Sequence, residues 1–120
     1  MVNAKELGKL GEKLAAEELL KKGYKLLSRN FIYDHKEVDI VCEHEGFIVF
    51  VEVKTRFSPY LSDAVLLVPW SKQKQIIKVA DFYLKEFYPH KEARFDIMIV
   101  ITNSEYTRME HIVDAFYPMC

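Results

Sequence analysis

The sequence predicts an α/β fold: a mixed β-sheet of four to five strands flanked by helices. Three observations predict it. Residues 47–56, FIVFVEVKTR, are apolar at alternate and intervening positions alike, as in a strand buried on both faces. The tripeptide His44-Glu45-Gly46 separates two strand-like runs, as in an antiparallel hairpin. Helical periodicity precedes the strands and returns after them, so the order α-β-β-β-α-β-(β) implies a sheet with helices packed on it. At 120 residues, 1–120 read as a single domain with one sizeable core.

Each element has a local cause. Asn3 suits the N-cap of a helix running to about Lys22, with Gly23 as its stop. Leu7, Leu10, Leu14 and Ala15 form its apolar stripe, and Gly8 and Gly11 allow close approach of another element. Glu18 falls inside that stripe without an evident reason. Strands follow at Tyr24–Tyr33, Glu37–Glu43 and Phe47–Lys54, and then a loop over 57–70. A second helix runs from Ser71 to about Phe87 on the spacing of Ile76, Val79, Ala80, Tyr83 and Phe87. Phe95–Ile101 is another β-branched strand, and Met109–Val113 a short last one.

Composition narrows the function. A formal net charge of −1 lacks the strongly basic balance of many nucleic-acid binders, so any basic surface is local. Cys42 and Cys120 make no secreted disulfide framework, and the charged first twenty residues hold no signal-peptide core. No apolar stretch approaches membrane-spanning length. A cytoplasmic protein without a membrane partner is the expectation. No Gly-rich phosphate loop points to a nucleoside triphosphatase, and His35, His44, His90 and His111 lack metal-site spacing, which leaves them turn or surface roles.

The chemistry concentrates at the end of the third strand. Glu52 and Lys54 alternate and so share a face with Ile48 and Phe50. Burying them costs several kcal/mol unless they are paired or bound to something. In a hairpin turning at 44–46, Asp39 falls opposite 51–53 and can reach the point where Glu52 projects. Two converging carboxylates beside a lysine are what metal-assisted phosphodiester hydrolysis requires. Mg²⁺ takes oxygen ligands from one or two carboxylates, water and phosphate, and activates a bound water. An ion pair at a frayed strand end, with Asp39 solvated, accounts for the same residues, and the E-x-K pattern leaves both readings open.

The segments GKLGEKLAAEEL, KEVDIV, FVEVKTR, SKQ and RFDI occur in this order between Gly8 and Ile97. The set resembles the YraN family of predicted bacterial endonucleases, itself similar to archaeal Holliday-junction resolvases of the PD-(D/E)XK nuclease superfamily. The resemblance implies a restriction-endonuclease-like fold, with Asp39 and Glu52 as ligands of Mg²⁺ or Mn²⁺ and Lys54 as the catalytic lysine. It adds Glu12 as a further metal or water ligand, on the spacing Gly8-x-x-x-Glu12. Glu37 is auxiliary, and Lys36 stands where the family usually has Gly. Lys72 and Gln73 match the family's K-Q pair, where the helix N-terminus and Lys72 would take a phosphate. Arg56 continues the Glu52/Lys54 face toward solvent, where it would bind the nucleic acid or simply be solvated. The alternative makes Lys72, Lys74 and Lys78 solvated lysines. Asp96, also in a family motif, reads as structural and paired with Arg94.

The expected function is a Mg²⁺-dependent endonuclease acting on DNA, with branched or structured DNA implied by the resemblance. A non-catalytic nucleic-acid-binding module and a protein-interaction subunit are the alternatives. Leu66, Leu67, Val68 and Trp70, with Phe116 and Tyr117, would either close a homodimer or bury in the core.

Overall fold

The computed structural model describes residues 3–57 and 68–118. Leu66, Leu67 and Cys120 lie outside them. The elements are α1 (Ala4–Lys21), β1 (Lys25–Tyr33), β2 (Lys36–His44), β3 (Phe47–Arg56), α2 (Trp70–Phe87), β4 (Glu92–Thr102) and β5 (Thr107–Phe116). The strands form one five-stranded sheet in the order β1-β2-β3-β4-β5. β3 and β4 pair parallel across the α2 connection, and the other neighbours are antiparallel. The mixed α/β architecture is the one expected, with β4 and β5 longer than the sequence indicated. β5 is a full edge strand whose exposed positions, Val113 apart, are polar, so its apolar signal covers only part of its length.

Local chemistry sets the boundaries. Asn3 Oδ1 accepts the Glu6 N–H at 2.8 Å and caps α1. At its other end Gly23, at φ +90°, lets the Tyr24 N–H return to the Leu19 carbonyl at 3.0 Å, a Schellman closure. Asp34 and His35 both have positive φ between the paired Tyr33 and Lys36, and Glu45 and Gly46 do the same between His44 and Phe47. Both hairpins thus turn through two residues with the backbone twist that suits the strands.

The sheet separates two apolar layers. Ile48, Phe50, Ile97 and Ile99 pack with Ile76, Val79, Ala80 and Tyr83 of α2. Val49, Val51, Met98 and Val100 pack with Ala15, Ala16 and Leu19 of α1. The buried face of α1 is Gly11, Ala15, Ala16 and Leu19, rotated from the expected stripe, and Leu10 is exposed. Small residues decide this: a Cβ built at Gly11 would lie 2.7 Å from Thr55 Cβ, whereas one at Gly8 meets nothing within 4 Å. Close approach therefore belongs to Gly11 alone of the two. Of the proposed dimer residues, Val68 and Phe116 are buried in the α2-side core, while Trp70 and Tyr117 are exposed. Among the described residues no helix is long and apolar enough to cross a membrane.

Candidate active site

β3 runs through the middle of the sheet, and its alternation puts Glu52 and Lys54 on the α2 side, in line with Ile48 and Phe50. Glu52 is only 3% exposed. Lys54 Nζ stands 3.7 Å from Glu52 Oε2 and keeps a quarter of its side chain in solvent. Flanking strands bury the carboxylate, and the strand end lets the lysine reach water.

Asp39 meets this pair where the sheet opens. Backbone pairing of β2 with β3 runs from His44↔Phe47 to Ile40↔Val51. Beyond it, the Val53 N–H donates to Asp39 Oδ2 at 2.8 Å. A side-chain carboxylate thus takes over from a main-chain carbonyl. Asp39 is not the solvated carboxylate of the alternative reading. Burial, then the hydrogen bond and charge of Glu52, push its carboxyl up to about 8, against the lowering by the Val53 N–H and Lys72. The two acids face each other closely enough to compete for one proton.

Glu12 reaches the same end of the sheet from α1, because Gly11 lets that helix lie directly on Thr55. Its side chain accepts from Asn30 Nδ2 at 2.8 Å, and the same nitrogen donates to Glu37 Oε1 at 2.9 Å. Burial raises the Glu12 carboxyl, Asn30 lowers it, and the charges of Asp39 and Glu37 raise it again. The structure therefore brings Glu12, Glu37, Asp39, Glu52 and Lys54 to one end of the sheet. Asn30 is the member that sequence reasoning missed. An asparagine inside a strand pattern carries no signal until the fold reveals its positive φ of 53°.

Lys72 and Gln73 divide. Lys72 Nζ donates to the Glu37 carbonyl at 3.3 Å, which sets a positive charge beside Asp39. Gln73 turns back, its Nε2 donating to the Val68 carbonyl at 2.9 Å, and so fixes the entry to α2. Among the described residues no side chain caps that helix, whose N-cap is Pro69, and its first turn holds no acid. Arg56 lies at the strand end with its guanidinium on the Thr55 carbonyl at 2.9 Å. With Lys54, Glu12 and Gly8 it lines a cleft of about 300 Å³ between α1 and the end of β3.

The donors here are oxygen atoms, the type that hard divalent cations select. Among the described residues no three His, Cys, Asp or Glu side chains converge as a ready-made metal cage. What Asp39 and Glu52 present is a two-carboxylate face beside Lys54, which itself lines the cleft.

A second polar cluster is structural. Asp96 is fully buried and accepts from Arg94 Nε at 3.0 Å, Arg94 Nη2 at 2.9 Å and the Asp114 N–H at 3.0 Å. The expected Arg94 partnership is present, but His111 and Tyr24 complete it. His111 Nε2 lies 2.7 Å from Asp96 Oδ2, and Arg94 Nη2 donates to the Tyr24 hydroxyl at 2.7 Å. Lys22 Nζ stands 3.1 Å from His111 Nδ1. An ammonium offers only hydrogens, so Nδ1 accepts and Nε2 carries the proton to Asp96. His44 stacks on Tyr24 with ring centroids 3.9 Å apart. The turn-or-surface role expected of the histidines thus fails for His44 and His111, which pack into this cluster; His35 does sit in a turn. Cys42 is buried nearby, and burial pushes its thiol up to about 12, an inert form.

Comparison with known proteins covers this whole arrangement. The model of the family described as "Uncharacterised protein family UPF0102" matches residues 11–100, a span that holds Glu12, Asp39, Glu52, Lys54 and Asp96 but ends before His111 and Asp114. The chain belongs to the UPF0102 family. A UPF0102 protein of Flavobacterium johnsoniae is 43% identical over 121 residues, covering 98% of each chain. One from Syntrophomonas wolfei is 43% identical over 115 residues, covering 93% of this chain and 98% of its own. A third, from Bacteroides thetaiotaomicron, is 40% identical over 118 residues, with 98% of each chain covered. UPF0102 membership therefore extends over nearly the full length, β5 included.

Proposed function

We propose that this protein is a divalent-cation-dependent endonuclease that hydrolyses phosphodiester bonds in DNA. The observation that carries the reading is the meeting of Asp39 and Glu52 at the end of β3, with Lys54 Nζ 3.7 Å from Glu52. Two acids held together in a buried site repel unless a proton or a cation lies between them. Asp39 and Glu52 would hold Mg²⁺ or Mn²⁺ there, with Glu12 reaching it through water, and the cation would polarise a phosphate and acidify a water.

The chain's own groups supply the rest. Lys54 orients the attacking water and offsets negative charge as it develops on the phosphate. Water adds to phosphorus, one P–O ester bond breaks, and the departing oxygen takes a proton to become a hydroxyl. Lys72 and the uncapped start of α2 offer positive charge and N–H groups to a neighbouring phosphate, and Arg56 extends the track along the cleft. The structured-DNA preference is part of the proposal and follows from the resemblance to junction resolvases.

A panel of single-stranded, duplex, flapped and four-way-junction DNAs, incubated with and without Mn²⁺, tests it. Cleavage that needs Mn²⁺ and vanishes in Asp39→Ala and Glu52→Ala is expected. Cleavage that persists in both variants would sink the proposal. The second reading, a non-catalytic binding module, draws on the lack of a third converging ligand among the described residues. Salt-sensitive DNA binding without cleavage on any substrate would favour it.

A further inference from the structure

Asn30 spends both hydrogens of its amide on carboxylates from two different elements, Glu12 on α1 and Glu37 on β2. Its backbone is also unusual, at φ 53° within β1, a conformation that Asn tolerates better than most residues. The neighbouring pairs Arg29↔Ile40 and Phe31↔Val38 place it opposite Asp39. At that level the strand alternation breaks. Val38 packs in the α2-side core and Ile40 in the α1-side core, although a regular strand would turn both to one face. The left-handed residue and the change of face coincide at the point where Asp39 leaves the ladder for Val53.

We infer that Asn30 is a positioning residue for the Asp39–Glu52 centre, holding Glu12 and Glu37 where they order the water around a bound cation. This rests on the metal-dependent reading of the site. Glu12 and Glu37 are partly exposed and stand near the charge of Asp39, so without a donor between them they would turn outward to solvent. A lysine or arginine in that place would draw them in but would add a positive charge opposing the cation. A neutral amide draws them in and leaves the negative potential intact. Hydrogen-bond partners lying outside a metal's direct ligands commonly alter affinity by about 10–100-fold.

Asn30→Gly separates the two parts of this role, because glycine keeps the left-handed backbone and removes the amide. Mn²⁺ binding by calorimetry, without nucleic acid, is compared in wild type, Asn30→Gly, Glu12→Gln, the double variant and Glu52→Gln. The expectation is that Asn30→Gly melts within about 3 °C of wild type and binds Mn²⁺ about tenfold or more weakly. In the Glu12→Gln background the same change should have a smaller effect, since only the Glu37 contact is then left to lose. Wild-type Mn²⁺ affinity in Asn30→Gly, or full additivity in the double variant, overturns the inference while leaving the metal-dependent reading intact. Unchanged affinity in Glu52→Gln overturns that reading instead. A cation-free check is amide-proton exchange by NMR. The Asn30 side-chain hydrogens should be protected in wild type and exposed in the Glu12→Gln, Glu37→Gln double variant; no protection in wild type also rejects the bridge.

Discussion

Asp39 Oδ2 accepts the Val53 N–H at 2.8 Å immediately beyond the last backbone pair of β2 and β3, Ile40↔Val51. This contact makes a two-carboxylate site from an ordinary hairpin. The strands part, yet the Val53 N–H stays satisfied, and the carboxylate that satisfies it is held against Glu52. An unsatisfied N–H there would cost about 1–3 kcal/mol, so the same hydrogen bond serves both stability and site geometry.

The Asp39–Glu52 contact should make the cation-free protein less stable as pH rises. The folded-state pKa of Asp39 is raised, to about 8, so its contribution is fully present below the unfolded carboxylate value and lost as pH climbs toward 8. Thermal melts in EDTA from pH 5 to 9 are expected to fall by at least about 4 °C from this source. Asp39→Asn should flatten the dependence, and Mn²⁺ should restore stability at the alkaline end. An equally steep decline in Asp39→Asn would reject the assignment.

Asp96 carries the opposite sign. Burial would raise its pKa, but the bonds from His111, Arg94 and the Asp114 N–H outweigh it and hold it below the usual range. Its contribution is therefore present above the unfolded value and lost as pH falls through the lowered one. Asp96→Asn leaves Arg94 buried without a counter-charge and should cost about 3–5 kcal/mol in urea unfolding. A loss under 1 kcal/mol would contradict a stabilising cluster.

Gly11 and Gly8 should respond oppositely to alanine. Gly11→Ala drives a methyl group into Thr55, displaces α1 and should destabilise by about 1–3 kcal/mol, with cleavage falling as Glu12 moves. Thr55→Ala should recover part of both losses. Gly8→Ala meets nothing and should stabilise the helix by roughly 0.5–1 kcal/mol. Equal effects at the two glycines, read by chemical denaturation, would contradict the close approach.

Lys54 and Lys72 should separate in kinetics. If Lys54 faces the reacting phosphate as proposed, Lys54→Met is expected to lower kcat by about 10²–10⁴ with little change in KM. Lys72→Met, which would remove the proposed phosphate contact, should mainly raise KM and reduce the salt dependence of binding by about one unit of slope. The reverse pattern in single-turnover and binding assays would exchange their roles.

Much of the molecule was legible in the residues because local rules govern it. The Asn3 cap, the Gly23 stop and the Glu45–Gly46 turn each follow from the conformation one or two residues prefer. The shared face of Glu52 and Lys54 follows from strand alternation, and the reach of Asp39 follows from counting back across a hairpin. Tertiary contacts alone decided the rest. Gly11 rather than Gly8 touches the sheet because Thr55, 44 positions away, sits beneath it. His111 is an interior partner because β5 pairs with β4 beside Asp96. Asn30 gained its role from a break in alternation that periodicity cannot register. The sequence by itself determined which residues carry charge and which face of a strand they share. Only the folded chain decided which charges meet, because like charges a dozen residues apart approach each other only when surrounding contacts stabilise the encounter.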